Sequence, residues 1–414
     1  MIYERLLWNS YNAMLKMKSL LLSENKNIIR NEIEISDNAV GKYIWVFCTT
    51  IGELNACYRF LDKYTGKYNL VIITDKEIYK EAFNAKFLSA LVITLIEFNN
   101  NKKHLFKKFK PDQLVICEIP SSLHEAPCRF EYSLVRDVHY LGGSVIVING
   151  WLYNESASCR QDYIEQFLFN KYFYKFIDAY FVQSDSVKKS LIEKGVRSNK
   201  ISVSNNFKFD SLYDKPVVYE TLNSKKVIKE EGCKLFLAGS LSGIDEFLLV
   251  IQSFKLILDV NVKLLIAPRH PEFKENIHSI ERILKEEKLT FSLLSGDNVS
   301  HNRVIVVDTF GDLQSLINKV DTVYIGKNHN ILEPISMKKP VATSSGWSKQ
   351  YSTYNILQFC YDNKLVTLCD NSSDLADFIV KDYEKVVLPS RKGSSVDYVL
   401  NKLISHELSL TEKY

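Results

Sequence analysis

The 414-residue chain carries 53 Lys+Arg against 49 Asp+Glu, a net charge of +4, too small over this length to argue for a nucleic-acid partner. Hydrophobic residues make up 46% and charged residues 25%, a globular balance that excludes a disordered or collagen-like chain, and the length suits two or three domains. No run approaches the roughly 18–20 apolar residues of a membrane span. The start lacks the basic, apolar and small-residue order of a signal peptide, which makes the cytosol the default compartment. The eight cysteines form no CxxC pair, which argues against a zinc or redox site. Cys48 and Cys117 sit in apolar runs and read as small buried hydrophobes.

Residues 1–30 predict an amphipathic helix region. Leu7, Tyr11, Met14 and Leu21 fall near one face, with Trp8, Leu15 and Leu22 beside it, and Lys16, Lys18, Lys26 and Arg30 add positive charge. Such a helix either lies in a membrane interface, with Trp8 and the leucines among headgroups, or packs on its own domain. The pattern alone does not choose.

From residue 43 the rhythm is strand, turn, helix: YIWVFC (43–48), LVIIT (70–74), ALVITLI (90–96), LVICE (114–118), SVIVIN (144–149) and AYFVQS (179–184). The polar stretch after residue 210 breaks it, and we read 213–232 as a linker between a domain at 31–212 and a second at 233–394. The rhythm restarts with KLFLAGS (234–240), VKLLIAP (262–268), RVIVVD (303–308), TVYIG (322–326) and PVATSS (340–345). Short apolar runs separated by helix-length segments predict parallel sheets covered on both faces. The expectation is an α/β chain of two doubly wound, Rossmann-like domains facing a cleft, with residues 395–414 a C-terminal helix that crosses back to the first domain. Ligands then belong at the carboxyl ends of the strands.

Six motifs stand there. Thr49-Thr50-Ile51-Gly52-Glu53 follows the first strand; Gly52 suits a tight turn, and Glu53 in the first helical turn is either a helix-start acid or a base aimed at a hydroxyl. Glu118 closes LVICE as a second strand-end carboxylate. Ala238-Gly239-Ser240 offers a small turn with a hydroxyl for a phosphate, or merely a structural turn. In Pro268-Arg269-His270-Pro271, Arg269 suits a bidentate phosphate contact and Pro271 the first position of a helix. Asp308-Thr309-Phe310-Gly311-Asp312-Leu313 predicts a helix beginning near Gly311. Asn328-His329-Asn330-Ile331-Leu332-Glu333 groups a histidine, amides and a carboxylate at a helix start, a means of gripping a nucleotide ribose, without the paired histidines of a metal site.

In order, TTIGELNA (49–56), FKPDQLVICE (109–118), VQSDSVKKSLIEKGV (182–196), VSNNFKFD (203–210), LAGS (237–240), APRHPE (267–272), DTFGDL (308–313) and HNILEP (329–334) resemble the 3-deoxy-D-manno-octulosonic acid (Kdo) transferases. The chain departs from their pattern at Asn149-Gly150-Trp151, where the family has Asn-Ala-Arg. The resemblance implies a GT-B glycosyltransferase that moves Kdo from CMP-Kdo to a lipid A precursor with inversion, without a metal or cofactor. It implies Glu53 as the catalytic base, Lys208, Ser240, Arg269, His270, Gly311, Asn330 and Glu333 around CMP, and Glu118 with Gly52 as acceptor-side or supporting residues. It also implies peripheral attachment to the inner membrane through the N-terminal helix. Two other readings remain open: transfer of a related sugar acid, such as a nonulosonate, from its CMP form to a capsule or O-chain, and a nucleotide-sugar binder without catalysis.

Overall fold

The computed structural model describes residues 2–21, 41–66, 68–119, 132–152, 160–213, 218, 220–257, 261–297, 299, 302–384, 386–391 and 393–411. Leu22, Lys26, Arg30, Cys128 and Cys159 lie outside the described residues. The chain divides into two compact units, one of residues Met1–Phe207 with Gly393–Tyr414, the other Lys208–Lys392.

The first unit is built on seven strands: β1 (Tyr43–Phe47), β2 (Asn69–Thr74), β3 (Leu91–Thr94), β4 (Pro111–Cys117), β5 (Ser144–Gly150), β6 (Ala179–Val182) and β7 (Ile201–Val203). All pairings are parallel, in the order β3-β2-β1-β4-β5-β6-β7. Alternation along β1 shows why the sheet is buried on both faces: Trp45 and Phe47 enter one apolar layer, while Ile44, Val46 and Cys48 enter the other. Cys48, Cys57 and Cys117 are all buried, as apolar positions demand. The expected strand 90–96 ends early. Thr94 accepts from the Glu97 amide, closing a capping box that starts the helix Leu95–Lys108 and leaves Ile96 exposed.

The second unit repeats the plan with β8 (Lys234–Leu241), β9 (Val262–Pro268), β10 (Phe291–Leu293), β11 (Val304–Val306), β12 (Thr322–Ile325), β13 (Val341–Thr343) and β14 (Thr367–Leu368). Their order is β10-β11-β9-β8-β12-β13-β14, again parallel. The expected α/β class with two doubly wound units is what forms.

Described residues within 213–232 make defined contacts with the second unit. Leu212 and Val227 enter the second core, Thr221 caps the helix Leu222–Lys225, and Lys226 donates to the carbonyls of Leu294, Ser295 and Gly296. Of its polar residues, Thr221 and Asn223 donate to Asp312, and Lys229 pairs with Asp321. The helix Ser395–Thr411 belongs to the first unit, where Val396, Val399 and Leu403 pack beside Phe60 and Asp397 pairs with Lys63.

The opening helix (Ile2–Leu21) has two faces. On the inner one, fully buried Glu4 accepts from Arg136 at 2.8 Å and from the hydroxyls of Tyr132 and Tyr140. Tyr11 donates to Glu165. Removing one partner from a buried pair of this kind costs about 3–5 kcal/mol, so the helix is part of the fold. Of the two placements open for Trp8, the domain wins: its ring turns inward and lies edge-on to Tyr132 and Phe169. Ile2, Tyr3, Leu6, Met14 and Met17 are exposed instead. Among the described residues no helix is long and apolar enough to cross a membrane.

Candidate functional site

In each parallel sheet the connections run one way from the first strand and the other way from its neighbour. That reversal falls between β1 and β4 in the first unit and between β8 and β12 in the second. Crossover helices diverge there, leaving a crevice at the carboxyl ends of the two strands. Glu53 and Glu118 follow β1 and β4; Ser240 closes β8, and the segment holding Asn330 and Glu333 follows β12.

Glu53 is the third residue of the helix Ile51–Thr65 and is 3% exposed. Its carboxylate accepts from the Thr49 amide at 2.6 Å, from the Thr49 hydroxyl and from the Thr50 amide, while Thr50 Oγ1 accepts from its backbone. This is a capping box, so the helix-start role is present. The electrostatics go further. Burial, reinforced by the nearby Glu118 carboxylate, outweighs the Thr49 and Thr50 donors and pushes the Glu53 pKa up to about 8. The capping box at Thr94 provides the contrast. At Glu97 partial burial raises the pKa, but the Thr94 amide and the Lys80 ammonium, 2.9 Å away, outweigh it and hold the carboxyl below its ordinary value. The same local motif gives an ionised helix-start acid beside a cation and, beside a second carboxylate, an acid that keeps its proton past neutral pH. Gly52 departs from expectation. It lies in the first helical turn without a positive φ, and an added Cβ would meet only Thr50 Oγ1 at 3.7 Å, so no tight turn requires it.

Glu118 is buried and left-handed (φ 63), as is Asn149 (φ 53) at the end of β5. Such conformations are disfavoured outside glycine and persist where surroundings impose them. Asn149 donates to Glu118 at 2.8 Å and accepts from the Phe207 amide, Gln183 donates to the Asn149 carbonyl, and Asn206 donates to Gln183. The sequence reading did not single out this amide chain, although strand-end placement applies to Asn149 as it does to Glu118.

In the second unit Ser240 is left-handed (φ 55) and half-buried, and the Arg269 amide donates to the Leu241 carbonyl. Arg269 is exposed; His270 pairs with Glu272 at 3.0 Å. Burial, then Arg269 and His270, push His329 well below the ordinary histidine range, so its imidazole is neutral, with Nε2 3.1 Å from Ser242 Oγ. Ser240, Arg269, His270 and His329 therefore share one neighbourhood. Asn330 is exposed, its side-chain oxygen accepting from the Leu332 amide, and Glu333 lies in the first turn of the short helix Leu332–Ser336. Gly311 has φ 89 and is exposed, so its conformation needs glycine. The following helix starts at Leu313 rather than at Gly311, and buried Asp312 accepts from Thr221, Asn223 and Thr309. Pro271 does not open a helix; the next one begins at Lys274. Lys208 lies on the 3-10 turn Phe207–Leu212. Glu53, Gly52 and Glu118 thus belong to the first unit, and the other seven site residues to the second.

The family model described as 3-deoxy-D-manno-octulosonic-acid transferase (kdotransferase) matches residues 22–211. A bifunctional glycosyltransferase/methyltransferase of Fusobacterium nucleatum is 26% identical over 79% of this chain, which spans about half (50%) of that relative's length. A 3-deoxy-D-manno-octulosonic acid transferase of Chlamydophila psittaci is 23% identical over 73% of this chain and 69% of its own. Among solved structures, UDP-GlcNAc 2-epimerase of Methanocaldococcus jannaschii superposes with a TM-score of 0.57 at 14% identity, over 88% of this chain and all (100%) of that one, a likeness of fold.

The paired carboxylates make a direct prediction. Glu118→Gln removes the neighbouring charge while burial stays, so the Glu53 titration falls from about 8 but remains above the ordinary 4.5. Carboxyl carbon NMR across a pH series reads it. An unchanged midpoint would separate the two groups.

Proposed function

We propose that this chain, a divergent member of the 3-deoxy-D-manno-octulosonic acid (Kdo) transferase family, is an inverting GT-B glycosyltransferase acting on a CMP-activated Kdo-type sugar acid. The acceptor in this reading is a lipid A precursor or a related lipopolysaccharide glycan. One observation carries it: a buried carboxylate at a strand-order reversal, fixed by three donor groups, whose pKa stands near 8. A protein that only bound nucleotide sugars has no use for a base so prepared.

The chemistry then assigns roles. The acceptor hydroxyl is a weak acid, so its proton passes to Glu53 as its oxygen bonds to the anomeric carbon. The bond from that carbon to the phosphate oxygen breaks with its electron pair, and CMP leaves from the opposite face. Negative charge grows on the departing phosphate, where Arg269 supplies a cation and the Ser240 hydroxyl a donor. Neutral His329 donates or accepts there without adding charge. Glu333 suits the ribose hydroxyls, which need an acceptor, and Asn330 and Gly311 complete the nucleotide side. Lys208 joins them by resemblance alone. Glu118, held by Asn149, tunes Glu53 rather than taking the proton itself. No step requires a metal.

Release of CMP from CMP-Kdo against a lipid A precursor, with CMP-nonulosonates in parallel, tests the reading. Glu53→Gln keeps shape and reach, so transfer should fall about 10²–10⁴-fold with CMP affinity near wild type. Near-full transfer by Glu53→Gln, with loss in Glu118→Gln, would move the base to the other carboxylate.

The exposed face of the opening helix supports peripheral membrane contact. Ile2, Tyr3, Leu6, Met14 and Met17 are solvent-facing, with Arg5 and Lys16 beside them, the composition of a helix lying in an anionic interface. Because the inner face is core, deletion is the wrong probe. Joint Leu6→Ser, Met14→Ser and Met17→Ser substitution should lower co-sedimentation with anionic vesicles severalfold while thermal unfolding stays unchanged. Undiminished vesicle binding would assign the contact elsewhere.

A further inference from the structure

Glu246 is the third residue of the helix Ile244–Leu256 and is buried. Helix-start acids commonly serve their own helix end. This one serves its own helix start and also reaches the turn after the neighbouring strand: its Oε2 accepts from the Ser242 amide at 2.6 Å and its Oε1 from the Lys327 amide at 2.7 Å. Those amides belong to two turns far apart in sequence, one after β8 and one after β12, the strands that flank the reversal in the second unit.

Two further observations show that the carboxylate is built into the site. Gly326 passes so close that any Cβ there would lie 2.6 Å from Glu246 Oε2 and overlap the Ser240 carbonyl oxygen, so both turns close only around a glycine. Ser240 (φ 55) and Asn328 (φ 64), on either side of the bridge, hold left-handed backbone that non-glycine residues avoid. Such conformations need restraint from outside. Glu246 supplies it on one side. On the other, the Ser348 amide donates to the Asn328 side chain at 2.7 Å and the Thr353 hydroxyl to its carbonyl at 3.1 Å.

We propose that Glu246 is a positioning residue for the donor nucleotide, a carboxylate bridge that fixes Ser240 and Ser242 relative to His329 and Asn330 before any ligand arrives. The inference rests on reading the second unit as the CMP-binding one. It has a chemical corollary. The Ser242 and Lys327 amides already face a carboxylate, so the donor phosphate is met by side chains, chiefly Ser240, Ser242 and Arg269, and not by those two N–H groups.

Amide hydrogen exchange on the unmodified protein tests the bridge without any variant. The Ser242 and Lys327 amides should be protected in the nucleotide-free protein and gain nothing from CMP. Free exchange that CMP then suppresses would make the nucleotide their partner and overturn the bridge. Glu246→Gln keeps one accepting oxygen but turns an NH₂ toward the other amide. Calorimetric CMP affinity should fall at least tenfold, and donor KM should rise while kcat at saturating donor stays near wild type. Exposed Asp245→Asn, one residue earlier, should match wild type in both. Unchanged CMP affinity in a folded Glu246→Gln protein would refute the positioning role. If the unmodified protein binds no CMP, the reading of the second unit fails, and the exchange pattern still decides whether the bridge exists.

Discussion

The chemistry of this chain depends on where each parallel sheet reverses its strand order. A parallel sheet buried on both faces leaves few places for polar side chains, and its crossover helices cover nearly all of them. At the reversal the helices part, and strand-end groups are left facing a crevice. Both sheets reverse beside their first strand, β1 against β4 and β8 against β12. Glu53 and Glu118 in one unit, and Ser240 and the His329 segment in the other, occupy those places for the same geometric reason.

What distinguishes the two reversals is charge. In the first unit two carboxylates are gathered, and burial with mutual repulsion keeps a proton on Glu53 up to about pH 8. In the second, an exposed arginine lies near a neutral histidine, and the buried Glu246 carboxylate is taken up by two backbone amides. In its ionised form the first arrangement suits accepting a proton from a neutral hydroxyl; the second suits receiving an anion. Asn149, Glu246 and Asp312 touch neither kind of ligand in this account. They hold left-handed or glycine-dependent turns at the edge of each crevice.

Much of this was legible in the sequence. Long apolar runs marked the interior strands, because a strand buried on both faces has no polar positions to spare. β7, β10 and β14 escaped notice because they are edge or near-edge strands of three residues or fewer, half-buried and polar in part. Leu95 and Ile96 looked like strand because hydrophobicity alone does not register the Thr94–Glu97 capping box. The opening helix is apolar on two sides, and periodicity could not say that Trp8 turns inward while Met14 and Met17 turn out. Residues 213–232 read as linker because composition does not show that Thr221 and Asn223 end on Asp312. Nothing in the local sequence singles out Glu246; only the amide of Lys327, 81 positions away, gives it its meaning.

The pH dependence of kcat/KM for sugar transfer tests the central claim, that Glu53 is a base whose raised pKa is set by burial and by Glu118. Because only the ionised carboxylate accepts the acceptor's proton, the account predicts a rate that climbs about tenfold per pH unit below a midpoint near 8 and levels off above it. Glu118→Gln should move that midpoint to lower pH. A profile that is flat between pH 5 and pH 9, or that falls across that range as pH rises, would contradict the account.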